Sequence, residues 1–356
     1  MKIVHTSDLH IASALSTRLP SSKVAARKRE LLSNLSRICS RGMELGATAM
    51  IIAGDLFDTK KVTRKELDST LAIIERAENM TFFYLAGNHE KDALTTSGEQ
   101  LPKNLLVFGK EWTYFRVGNI TVAGRTTTSK DMFDTLNLDP LHKNIVVLHG
   151  ELRDRSDDEG AIGLIDAQNK NIDYLALGHY HTYSAHKIDR RGTAVYCGAP
   201  EGRGFDEVGD LGFCTVNVTA DAVTHMFHPF AQRKLIIKDI DISGAAKTSE
   251  VERLVNRAIY DIEPESLVRA NLVGARELEL RLDKSILEER FSERFYYFEI
   301  KDSSKLLTRA EDYMYDKSLR GEFIRLVLGD ESIDDCEKEK IIHCALSALA
   351  GEAFDD

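Results

Sequence analysis

Short apolar runs closed by glycine or polar residues alternate with longer amphipathic stretches through the first half of the chain. "KIVHTS" (2–7), "TAMIIAG" (48–54) and "TFFYLAG" (81–87) read as buried strands. Between them, residues 23–45 put Leu31, Leu35 and Ile38 on one helical face, and Gly46 marks the stop. Residues 63–79 repeat the pattern with Leu67, Leu71 and Ile74. "NIVVLHG" (144–150) and "IDYLALGH" (172–179) add two more strands. This alternation predicts an α/β domain with buried sheets.

After residue 185 the signals become closely spaced strands: "TAVYCGA" (193–199), "LGFCTVNVT" (211–219) and "AVTHMFH" (222–228). A second unit is expected to start near residue 232. It opens with the strand "KLIIKDIDI" (234–242) and a helix over 248–262. Three strands follow, "SLVRANLVG" (266–274), "ELELRLD" (277–283) and "FYYFEIKD" (295–302). From 304 onward the pattern is helical, with Phe323, Leu326, Val327 and later Ile341, Ile342, Leu346 and Leu349 near helical spacing. The expected organisation is an α/β domain over 1–231, a smaller α/β unit over 232–303 and a helical segment over 304–356.

Composition changes this picture little. The 356 residues are 43% hydrophobic and 29% charged, as in a soluble globular protein of two or three domains. No apolar run approaches the roughly 20 residues of a membrane span, so no membrane role is expected. The five cysteines form no CxxC and no regular framework, which suits a reduced, cytoplasmic protein. The net charge of −10 argues against broad electrostatic binding to nucleic acid and leaves a local basic groove open.

The chemistry sits where the strands stop. "SDLH" brings Asp8 and His10, "GDLFD" brings Asp55 and Asp58, and "GNHE" brings Asn88, His89 and Glu90. "HGE" brings His149, and "GHYH" brings His179 and His181. Each piece alone is an ordinary turn or cap. Together they deliver nitrogen and oxygen donors from five strand ends to one rim, where α/β sheets bind ligands. The donors include no thiolate, which suits Mn, Fe or Zn in a catalytic site rather than a structural zinc.

The ordered set DxH, GDxxD, GNH[DE], H and GHxH resembles the calcineurin-like metallophosphoesterase superfamily over about residues 1–230. "HTSDLH", "GDLFD" and "YCGAPEGRGFDEVGDLGF", with the α/β segment after them, more narrowly resemble the SbcD-type and YhaO-type DNA repair exonucleases. The resemblance implies a metallophosphoesterase β-sandwich flanked by helices (αββα), followed by a capping domain. It implies two divalent metal ions, with Mn(II) favoured. Asp8, His10 and His181 would hold one ion, Asn88, His149 and His179 the other, and Asp55 would bridge them. His89 would stand by the substrate phosphate, with Asp58 orienting its ring. The implied activity is that of a DNA exonuclease or endonuclease in double-strand-break repair. The implied assembly is a homodimer working with an SMC-like ATPase of the SbcC or YhaN type. A phosphomonoesterase, a cyclic-nucleotide phosphodiesterase and a non-catalytic subunit remain open on the same scaffold. The helical tail either packs on its own capping domain or docks the ATPase.

Several residues lie outside this set. Glu90 stands where the family commonly has Asp, which touches only a contact behind the ligands. His5 is expected to pack or bond locally in its strand, and His142, His186, His225, His228 and His343 to be structural or surface residues. Arg203 either faces a phosphate or pairs with Asp206 or Glu207.

Overall fold

The structure, a computed structural model, describes residues 1–13, 15, 19–58, 62–90, 94, 100–156, 160–277, 280, 282–306 and 315–350. It separates into two compact units, Met1–Leu235 and Ile236–Asp356, and the C-terminal helical segment falls in the second.

The first unit contains strands β1 (Lys2–Thr6), β2 (Ala49–Ala53), β3 (Thr81–Leu85), β4 (Leu105–Val107), β5 (Thr113–Val117), β6 (Ile120–Gly124) and β7 (Lys143–His149). It continues with β8 (Glu151–Arg153), β9 (Ala161–Gly163), β10 (Tyr174–Gly178), β11 (Ser184–Lys187), β12 (Thr193–Tyr196), β13 (Gly212–Val218) and β14 (Val223–Pro229). Helices α1 (Ser21–Glu44) and α2 (Arg64–Arg76) lie between the first three strands. Two six-stranded sheets result, in the orders β14-β13-β1-β2-β3-β4 and β11-β12-β10-β7-β6-β5. In each, four neighbouring strands are parallel and antiparallel strands close the edges, one at the β5 end and one at the β11 end of the second sheet, two at the β14 end of the first.

The period-2 alternation of β1–β3 divides their side chains between two cores. Ile3, Ile51 and Phe83 pack between the sheets against Val122, Val147, Ala176 and Val195. Val4, Met50, Ile52 and Phe82 turn the other way, onto Leu35 and Ile38 of α1 and Leu67, Leu71 and Ile74 of α2. These are the helix faces read from the sequence. Fully burying each such side chain favours folding by roughly 1.5–3 kcal/mol. The outer face of the second sheet is covered by Met132 and Phe133 of a single 3₁₀ turn and by loop residues such as Leu138 and Ile172. Helix α2 starts at a capping box: the Thr63 side chain accepts from Glu66 N, and the Glu66 carboxylate accepts from Thr63 N.

The second unit contains β15 (Leu235–Asp241), α3 (Thr248–Ala258), β16 (Leu267–Val273), β17 (Ala275–Arg276), α4 (Lys284–Ser292), β18 (Tyr297–Asp302), β19 (Lys305–Leu306), α5 (Leu319–Gly329) and α6 (Asp335–Ala350). Its sheet runs β15-β16-β18, with Val268, Leu272 and Phe298 packed against Val251 and Val255 of α3 and Leu287 and Phe291 of α4. The strand expected over 277–283 falls partly outside the described residues, and Asp283 caps α4 instead by accepting from Ile286 N. Helices α5 and α6 meet through Ile324, Val327 and Ile342. The side chains of Leu346 and Leu349, named above for the tail, and residues 307–314 and 351–356 lie outside the described residues.

Candidate metal centre

The carboxyl ends of the parallel strands in both sheets carry the site. The segments after β1 and β2 are tied by Asp8 N to Gly54 O and His10 N to Asp55 O, each 3.0 Å. Four non-glycine residues here hold positive φ: Asp8 (52°), His10 (46°), Asp55 (50°) and His179 (114°). Such backbone costs on the order of 1–3 kcal/mol per residue and persists where the surroundings over-determine it. Two glycines make room for the ligands. Gly54, at φ 92°, would place a Cβ 2.1 Å from His149 Nδ1, and a Cβ on Gly87 would lie 2.0 Å from Asp55 Oδ1.

His10 and His181 face each other with their Nε2 atoms 3.2 Å apart. Behind them, His181 Nδ1 meets Glu207 Oε1 at 2.8 Å, and His10 Nδ1 lies 3.0 Å from Asp58 Oδ1. Glu207 favours the His181 tautomer that carries its proton on Nδ1, which leaves the His181 Nε2 lone pair facing the site. Asp58 stands close to His10 Nδ1 without a hydrogen bond to it. The two Nε2 atoms converge on one space, as two ligands of a single cation would. Asp8 is the third donor: its oxygen and the two imidazole nitrogens all lie within 4.8 Å of one another. Asp8 is itself aimed by the His179 backbone N–H, 3.1 Å from each carboxylate oxygen.

A second group, Asp8, Asp55 and His149, meets the same 4.8 Å limit. His149 Nδ1 donates to Ala53 O at 2.9 Å, leaving Nε2 3.3 Å from Asp55 Oδ2 and 2.9 Å from Asn88 Oδ1. Burial opposes charge on both partners, but their hydrogen bond and mutual attraction win. Asp55 is held down to about 2 and His149 is raised to about 9. A cation taking up His149 would displace that proton. Burial is also the main reason Asp8 is raised and His10 is lowered to about 3, the latter with help from Arg203. The His179 ring packs edge-on to His149, with centroids 5.5 Å apart. His89 is 44% exposed, its Nε2 4.0 Å from Asp55 Oδ2, so it alone among the site histidines stands half open to solvent. The nine residues given a ligand or catalytic role in the sequence reading therefore lie at one rim, and the donor set fits divalent cations.

Three neighbours complete the site. Asp58 was expected to orient His89: its backbone carbonyl accepts from His89 Nδ1 at 3.4 Å, and its Oδ1 lies 3.5 Å from that nitrogen and 3.0 Å from His10 Nδ1. Arg203 does not wait free for a phosphate. Its Nη1 donates to Asp58 Oδ1 at 2.9 Å and its Nη2 to Glu207 Oε1 at 2.6 Å, joining the carboxylates behind His10 and His181. Sequence reasoning raised the Arg203–Glu207 pair but not the Glu207–His181 contact; the only signal was an acidic residue four positions after an arginine. Glu90 is buried and accepts from Leu56 N (3.0 Å), Phe57 N (2.7 Å) and Gly87 N (3.2 Å), clamping two ligand-bearing loops together.

Residues 1–183, just over half of the chain, match the family model for calcineurin-like phosphoesterases. The DNA double-strand break repair protein Mre11 of Methanosarcina acetivorans is 24% identical over 288 residues, covering 77% of this chain and 46% of its own length. The protein of the same name from Haloferax volcanii is 24% identical over 288 residues, covering 78% and 62%. The metallophosphoesterase YhaO of Bacillus subtilis is 22% identical over 249 residues, covering 64% and 60%. The chain thus matches between 46% and 62% of the length of these curated relatives. The chain belongs to the calcineurin-like phosphoesterase family.

Proposed function

We propose that the chain is a phosphodiesterase dependent on two divalent metal ions, acting on DNA in break repair. The opposed Nε2 atoms of His10 and His181, each backed by a carboxylate, are the observation that carries this reading. Asp8, His10 and His181 would hold one ion and Asn88, His149 and His179 the other, with Asp55 as a ligand shared between them. Bound there, the ions supply Lewis acidity toward phosphoryl oxygens and a nucleophile at neutral pH.

The chain's own residues do the rest. Glu207 keeps the Nδ1 proton of His181 in place and so fixes which of its nitrogens faces the site, while Asp58 sets a negative charge beside His10 Nδ1. His89, the exposed imidazole, stands by the substrate phosphate and gives a proton to the leaving oxygen. Donors of nitrogen and oxygen without thiolate suit Mn, Fe or Zn in a catalytic site, and the family resemblance favours Mn(II) among them. Likeness to proteins named for double-strand break repair supports DNA as substrate. The resemblance of the motifs to SbcD-type nucleases underlies the assignment of a homodimer with an SMC-type ATPase of the SbcC or YhaN kind as partner.

The test is hydrolysis of linear and single-stranded DNA with Mn(II), beside bis-p-nitrophenyl phosphate and p-nitrophenyl phosphate. DNA and the diester are expected to be cleaved, and His89→Ala to abolish both while bound metal stays at the wild-type level. Cleavage of the monoester alone contradicts the proposal.

A further inference from the structure

Beside the Asn88, His149 and His179 end of the site lies a cavity of about 560 Å³, within the roughly 300–1,000 Å³ of small-ligand pockets. Lys110, the run Thr126–Thr128, and Glu151 with Arg153 line it. It adjoins only one half of the ligand set: neither His10, His181 nor His89 reaches it. The two cations on its wall differ. Arg153 is engaged by Glu151 Oε2 through Nε (2.9 Å) and Nη2 (2.7 Å). Among the described residues, no acceptor or carboxylate lies in bonding range of the exposed Lys110 ammonium. Thr127 is exposed beside it, while Thr128 Oγ1 is spent on accepting from Gly160 N at 2.8 Å.

An uncommitted ammonium near hydroxyls, with no Phe, Tyr or Trp among the lining residues and the two imidazoles there belonging to the ligand set, suits a sugar–phosphate unit rather than a base. Resting on the phosphodiesterase reading above, we infer that this cavity is a subsite for the phosphate next along the strand from the one cleaved. Lys110 neutralises that phosphate and Thr127 hydrogen-bonds it. The substrate class is therefore an oligonucleotide extending past the scissile linkage on the Asn88–His149–His179 side. Recognition there is neutral to base identity.

The test is steady-state hydrolysis of a short oligothymidylate and of bis-p-nitrophenyl phosphate, which has no second phosphate, at several salt concentrations. Lys110→Gln is expected to raise KM for the oligonucleotide about fivefold to tenfold. It should also flatten the slope of log KM against log salt by about 0.7, the share of one phosphate contact on a single strand. Thr127→Val should give a smaller rise without changing the salt slope. Neither variant should alter kinetics on the small diester. An unchanged oligonucleotide KM and salt slope in Lys110→Gln, with the small diester still cleaved, overturns the subsite and leaves the phosphodiesterase reading standing. A wild-type protein that cleaves neither substrate overturns that reading, and the subsite with it.

Discussion

Glu207→Gln separates the two halves of the metal centre. Glu207 accepts from His181 Nδ1 at 2.8 Å and from Arg203 through N (2.7 Å), Nε (2.9 Å) and Nη2 (2.6 Å). Burial works against its charge, yet those contacts hold it at about 2, down from 4.5. That shift corresponds to about 3 kcal/mol in favour of the carboxylate. Glutamine keeps one acceptor for His181 but turns an NH₂ toward a cation, so His181 loses its fixed orientation. Loss of such a partner behind a ligand costs about tenfold to a hundredfold in metal affinity, or about 1.4–2.7 kcal/mol. The loss should fall on one ion only, because Glu207 touches His181 and has no bond to Asn88, His149 or His179. Calorimetric titration of Mn(II) into metal-free wild-type and variant proteins resolves the two binding events. One weakened and one unchanged event is expected. Equal weakening of both, or of neither, refutes the assignment of His181 to a half of its own.

His5 is buried in the inter-sheet core, its Nδ1 2.8 Å from Tyr174 Oη, and burial lowers it to about 3 from 6.5. The unfolded chain takes up a proton that the folded chain refuses, so this contribution to stability is complete above about pH 6.5 and is lost as pH falls toward 3. At pH 5 the loss is about 2 kcal/mol. Urea midpoints at pH 7 and pH 5 should converge in His5→Gln relative to wild type; parallel pH dependences contradict the reading. Gly87→Ala puts a methyl group 2.0 Å from Asp55 Oδ1, so folded protein with depleted metal is expected by circular dichroism and elemental analysis. Full metal content in that variant speaks against Asp55 as the shared ligand.

The fold was legible wherever a residue's role depends on its near neighbours. Short continuous apolar runs marked β1, β2, β3, β7 and β10, and their abrupt polar ends marked the rim. Helix α4 escaped because only Leu287 and Phe291 are buried in it, a single i,i+4 pair without a longer stripe. Strands β8 and β9, three residues each, are too short to show a period. The residues around the ligands were harder to read because their partners are remote in sequence. Asp58 meets Arg203 across 145 residues, and His5 bonds across 169 to a tyrosine of the facing sheet rather than locally. Nothing in a linear pattern encodes such pairings. Glu90 was readable as a substitution but not as a clamp, since its three backbone donors come from two separate loops.

The central claim is that donors from five strand ends form one centre for a pair of divalent cations. Equilibrium dialysis of the metal-free chain against Mn(II), followed by elemental analysis, tests it most directly. Two ions per chain are predicted, falling to one or fewer in Asp55→Ala, which removes the shared carboxylate. Saturation at a single ion in the wild-type protein, or two ions retained after Asp55→Ala, contradicts it.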